Sequence, residues 1–145
     1  MGFMWADTLL AAEHAHVLRL MLWGGGSTLV GTALLAWLHM GRRRSPLLEQ
    51  FGLQTAAWGA AELAFAAIAR TGMGSRDLAA ATRLDRLLWL ELGLDGGYLL
   101  VGLTLVASGW ALGRRLGMVG AGLAVVVQGA ALALLHLLLA GQISR

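Results

Sequence analysis

LLWLELGLDGGYLLVGLTLVASGWAL, residues 87–112, is the stretch that decides the fold. It is long enough to cross a bilayer as a helix, yet Glu91 and Asp95 lie inside its apolar run. Their spacing of four places both on one helical face. Tyr98, Gly102 and Gly109 continue that stripe at about 100° per residue. An acid within a membrane helix is costly and marks a candidate functional site.

Composition supports a lipid setting. Of the 145 residues, 58% are hydrophobic and only 13% charged, with a mean hydropathy of +0.71. Soluble domains carry roughly 25% charge. One domain is expected at this length. The chain has no cysteine, which excludes disulfides and thiolate-held metals. All eleven basic residues are arginine; they cluster at span ends, a pattern that suits lipid headgroups and not nucleic acid. No cleaved leader is expected, because MGFMWADTLLAAEHAH lacks a basic start.

Outward from the deciding stretch, three further apolar runs appear. The expected spans are residues 17–40, 47–69, 87–112 and 116–140, forming an all-α integral membrane four-helix bundle. Residues 75–86, rich in charge, extend the third helix past the bilayer. Ser45 and Pro46 have the N-cap and first-turn pattern that starts the second helix, and Ser75 is the expected cap of the third. Glycines Gly41, Gly72, Gly113 and Gly141 stand where helices are expected to end.

The two halves resemble each other. WGGGSTLVGTALLAW (23–37) aligns with LDGGYLLVGLTLVAS (94–108), and WGAA (58–61) with QGAA (128–131). Each half holds two spans, so a duplication would relate the halves by a pseudo-two-fold axis along the membrane normal; chance similarity of Gly/Ala/Leu-rich spans is the alternative. Arginine counts nearly balance on the two sides, with a lean towards Arg42–Arg44 and Arg114–Arg115 in the cytoplasm and both termini outside.

Helical rise puts the ionisable groups at one depth. Counted from the side that carries both termini, Glu62 lies about 12 Å in, Asp95 and His136 about 13 Å, and Glu91 about 7 Å. His16 and Arg19 enter the first span on that side. The expected polar cluster is therefore Glu62, Glu91, Asp95, His136, His16, Arg19 and Tyr98. It admits three uses. It can be a neutralised packing layer in a non-enzymatic subunit that self-associates or joins a larger membrane complex. It can be a metal or haem site on Glu62, Glu91, Asp95 and His136, for which Glu13-x-x-His16 offers a further ligand spacing. It can be a small proton or solute carrier. The bland reading, carboxylates neutralised by histidine, arginine or protonation, needs no ligand. The Gly24–Gly26 run has no phosphate-loop context and reads as close helix packing.

ELGLDGGYLLVG (91–102), AAWGAAELA (56–64) and VVQGAALALLH (126–136) resemble a family of small, uncharacterised bacterial four-span proteins. That family shows Asn-x-Gly-Leu-Asp-x-x-Tyr, Gly-Trp-Asn-x-x-Asn and Gln-Gly in the corresponding spans. Gly93, Leu94, Asp95, Tyr98, Trp58, Gln128 and Gly129 fit the pattern. Glu91, Gly59 and Glu62 stand in place of asparagines, and His136 in place of an aspartate. The resemblance implies a bacterial inner-membrane protein of four spans and carries no activity.

Overall fold

The computed structural model describes residues 2–74 and 77–143, with side chains from residue 6 onward. Four helices follow one another: α1 (Gly2–Met40), α2 (Pro46–Thr71), α3 (Leu78–Ala111) and α4 (Leu116–Ile143). No strand occurs among the described residues. The short 41–45 and 112–115 connections make α1/α2 and α3/α4 antiparallel hairpins. At 39 residues α1 is about 58 Å long, starting well before the expected Val17 and carrying Leu9, Glu13 and His16 into the interior.

The helix ends show which local signals prevail. Ser45 caps α2, its side chain accepting from the Leu48 N–H, and Pro46 takes the first turn. The cap of α3 is Asp77, whose Oδ1 accepts the Ala80 N–H at 2.7 Å; a carboxylate serves the unpaired first-turn donors as a serine would. The expectations placed on Ser75, Arg76 and Arg145, and on the side chain of Trp5, fall outside the described residues. Gly113 (φ +81°) takes the left-handed conformation after α3, and Arg42 (φ 48°) takes it after α1 where Gly41 was expected to. Gly72 caps α2 with a φ of −98°, and Gly141 lies inside α4. The glycine rule thus holds in the left-handed sense at one end of four.

Three helices, α1, α3 and α4, are long and apolar enough to cross a membrane. The sequence led us to expect four such runs. α2 is less apolar because Glu49, Gln50, Gln54, Glu62 and Arg70 interrupt its alanines and glycines. Large apolar side chains face outward on all four helices, among them Leu22, Leu29, Ile68, Leu100 and Leu134.

Packing rests on backbone approach at small residues. Gly31 of α1 lies against the Gly52 carbonyl and the Ala56 N–H of α2; Gly102 of α3 lies in the same way against the Gly122 carbonyl and the Val126 N–H of α4. A methyl group on Gly59 would meet Gly24 O, Thr28 N and Ser27 Cβ; one on Gly129 would meet Asp95 O, Leu99 N and Tyr98 Cβ. The two hairpins thus share one packing register, the register of the sequence alignment. Buried positions follow it: Leu88, Asp95 and Gly102 of α3 match Val17, Gly24 and Gly31 of α1, while Gly122, Gly129 and His136 of α4 match Gly52, Gly59 and Ala66 of α2.

The hairpins join through α4, which packs on α2 and on α1 as well as α3. Gly120 admits the Leu47 carbonyl where α2 and α4 meet on the arginine-loop side. The backbone of α3, by contrast, approaches neither α1 nor α2. A crevice between α2 and α3 results.

Candidate functional site

The residues that separate the two sister interfaces build the site. Between α1 and α4, Trp23 Nε1 donates to Gln128 Oε1 at 2.7 Å, and Gln128 Nε2 donates to Ser27 Oγ at 3.2 Å. In the shared register, Ser27 and Gln128 correspond to Tyr98 and Trp58, which face each other between α3 and α2. There the contact is aromatic, edge to face, with ring centroids 4.7 Å apart. Two rings need more room than a serine and an amide, so they bridge a wider gap.

A cavity of about 550 Å³ occupies that gap on the side of the termini. Volumes of this order hold a drug-sized molecule. Glu13, His16, Glu62, Glu91, Asp95, Tyr98 and His136 contribute its polar wall. Its apolar lining runs from Val17 and Leu20 of α1 and Leu132 and Leu139 of α4, past Ala66 and Leu88, to Phe65, Ile68, Ala69 and Met73 from the α2 side and Leu84, Leu87 and Leu94 from α3. Phe65, Ile68, Leu87 and Leu94 are also exposed on the outer surface and form an apolar rim between α2 and α3.

Six of the seven expected cluster residues come together on this wall. At its centre His136 joins two carboxylates: Nδ1 lies 2.6 Å from Asp95 Oδ2, and Nε2 lies 3.4 Å from Glu91 Oε2. Asp95 is 2% exposed, whereas the Glu91 side chain is 53% exposed. The chain of contacts therefore runs from the packed interior outward to the cavity. A carboxylate on one ring nitrogen fixes the orientation of the imidazole and the role of its other nitrogen. Gly129 makes this possible, since it lets the backbone of α3 at Asp95 come against α4 two turns before His136.

The ring of His16 sits 5.3 Å from that of His136, tilted by 45°. Its Nδ1 is buried without a hydrogen-bond partner, as is one terminal nitrogen of Arg19. Arg19, the seventh expected member, is not part of the cavity wall; it lies on the neighbouring side of α1. Glu62 faces Glu91 across the crevice from α2. In the shared register these two acids occupy the places of Leu132 and Leu20, an apolar pair on α4 and α1. No arginine lines the cavity among the described residues.

Among the described residues, no three His, Asp or Glu side chains converge closely enough to hold a metal ion. Metal ligation by Glu62, Glu91, Asp95 and His136 would require these side chains to move, since His136 directs both ring nitrogens at carboxylates. Sequence reasoning did not anticipate the burial of Glu13, the Trp23–Gln128–Ser27 network or the crevice itself. The alignment of halves contained the signal: it pairs Glu62 with leucine and Tyr98 with serine.

No curated protein and no solved structure matches the chain. A family of unknown function does match, over residues 19–137, which takes in every residue of the polar wall except Glu13 and His16. The chain belongs to that family, DUF6992.

Proposed function

We propose that this is a four-span integral membrane protein, a non-enzymatic subunit that binds a lipid-soluble small molecule in the crevice between α2 and α3. One observation carries the reading: a cavity of about 550 Å³ with an apolar rim on the outer surface and a carboxylate–imidazole wall inside. A packing layer alone would close over its acids, whereas Glu62 and Glu91 border an open cavity. An apolar rim between two helices suits a molecule arriving from the hydrocarbon, and the inner wall suits a polar group on that molecule.

The rest of the architecture fits the same proposal. α2 crosses the membrane despite its lower apolarity, because its polar residues Glu62 and Gln54 turn towards the bundle. The two hairpins enter the membrane in the same direction and descend from one ancestral hairpin, as their common packing register supports. Arg43 stacks over Trp37 and Arg114 over Trp110, 4.7 and 5.1 Å from the ring centroids, which suits anchoring of both arginine loops at one headgroup layer. We place that layer on the cytoplasmic face of a bacterial inner membrane, by charge and by the resemblance given above. Association with further copies or with a larger complex is compatible with the open faces at Gly93 and Gly97.

The experiment is a thermal-unfolding screen of the purified protein in detergent against a panel of lipid-soluble organic molecules, run beside Ala69→Trp. Ala69 lines the rim and is exposed, so the indole fills the entrance without disturbing the interior. Compounds that stabilise the native chain and not Ala69→Trp support the proposal. Stabilisation of both alike, or of neither, contradicts it.

A further inference from the structure

We propose, resting on the binding reading above, that the crevice takes a hydrophobic organic cation: a molecule with one positive charge and bulky apolar substituents. Two independent features of the wall lead there.

The first is its charge. The titratable groups on the wall are Glu13 and His16 from α1, Glu62 from α2, Glu91, Asp95 and Tyr98 from α3, and His136 from α4. His136 contacts Asp95 and Glu91. Three carboxylates, Glu62, Glu91 and Asp95, thus share one imidazole, with Glu62 and Glu91 on opposite sides of the opening and no arginine on the wall among the described residues. Like charges facing each other at a gap repel, and a cation between them converts that repulsion into attraction on both sides. An anion would meet the same pair unfavourably.

The second is the aromatic end of the crevice. The Trp58–Tyr98 pair closes it at the inner end, and Tyr98 is part of the cavity wall. A desolvated cation is attracted to an aromatic face. Metal ions and small hydrated ions do not fit these features. The rim of Phe65, Ile68, Leu87 and Leu94 gives nothing to replace a hydration shell, and the acids do not converge on a point. A delocalised charge wrapped in apolar groups meets both parts of the surface.

The test uses three probes of nearly one shape: tetraphenylphosphonium (cationic), triphenylphosphine oxide (neutral) and tetraphenylborate (anionic). Binding to the full chain in detergent is measured by equilibrium dialysis, with Ala69→Trp defining the background from micelles. The proposal expects saturable binding of tetraphenylphosphonium alone, abolished in Ala69→Trp. It expects affinity to fall roughly tenfold in Glu62→Gln and again in Glu91→Gln. Both changes keep side-chain volume, so far-ultraviolet circular dichroism and thermal unfolding should match the native chain. Equal binding of the neutral or anionic probe, or unchanged cation affinity in both glutamine variants, overturns the cation assignment and leaves the crevice a general apolar site. Failure of all three probes to bind above the Ala69→Trp background overturns the binding reading as well.

Discussion

Replacing His136 by alanine removes a group that contacts both Asp95 and Glu91, and the structure bounds what this should cost. The Asp95–His136 contact is 2.6 Å long and Asp95 is 2% exposed. That length lies at the short end of charge-assisted hydrogen bonds. Neutral hydrogen bonds between membrane helices average only about 0.6 kcal/mol and reach about 1.7 kcal/mol. Breaking a buried charged pair from one side costs about 3–5 kcal/mol, because the remaining charge has no partner. We expect His136→Ala to destabilise the protein by about 3 kcal/mol. Asp95→Ala should cost about 3 kcal/mol as well, and Asp95→Ala/His136→Ala about 4 kcal/mol in place of the additive value of about 6 kcal/mol, giving a coupling of about 2 kcal/mol. The cycle cancels the packing lost with the ring, which a single variant would not. Reversible unfolding in mixed micelles of rising dodecyl sulfate content, followed by the fluorescence of the six tryptophans, supplies the free energies. A coupling of about 0.6 kcal/mol or less would refute the reasoning and reduce the pair to an ordinary interhelical contact.

Three other outcomes follow from the packing. Gly31→Leu and Gly102→Leu should each destabilise their hairpin by about 3 kcal/mol or more in the same assay, since both press side chains into backbone; Gly97→Leu, which meets open space, should be tolerated. Gln128→Leu leaves the Trp23 indole N–H without its acceptor and should cost about 1–3 kcal/mol, with a shift in tryptophan emission as the readout. In a chain free of cysteine, Arg44→Cys and Arg115→Cys should react with an impermeant thiol reagent from one side of sealed vesicles and Gly74→Cys from the other; Arg44→Cys and Gly74→Cys on a common side, with Arg115→Cys opposite, would remove α2 from the spans.

Much of this was legible in residue order, for reasons that can be named. Helical rise fixes depth, so Glu62, Asp95 and His136 could be placed at one level before any packing was known. Helical periodicity fixes face, which put Asp95 beneath the glycine stripe Gly102–Gly109, where it is found buried. Of the Gly24–Gly26 run, read as close helix packing, Gly24 meets the backbone of α2 at Gly59 and Leu63, while Gly25 and Gly26 meet open space. Three things were hidden. Side-chain reach decides partners, and Arg19, though near in sequence to His16, has its guanidinium off the cavity wall. Capping is settled by side-chain geometry, and Asp77 caps α3. Above all, which pairs of helices touch is a property of the assembled bundle. Depth and face are the same for a closed four-helix ring and for one open between α2 and α3, so the crevice emerges only from the packing of Trp58 on Tyr98 and from α3 resting on α4 alone.

The most direct test of that opening compares its two sister interfaces with a short bifunctional thiol reagent in membranes. Ser27→Cys/Gln128→Cys spans the closed α1–α4 side, where Gln128 reaches Ser27, and Ala66→Cys/Leu87→Cys spans the crevice. The account predicts efficient linkage of the first pair and little of the second, with a long reagent restoring linkage across the crevice. Equal linkage of both pairs by the short reagent would mean that α2 and α3 are in contact, and that no cavity is there to bind anything.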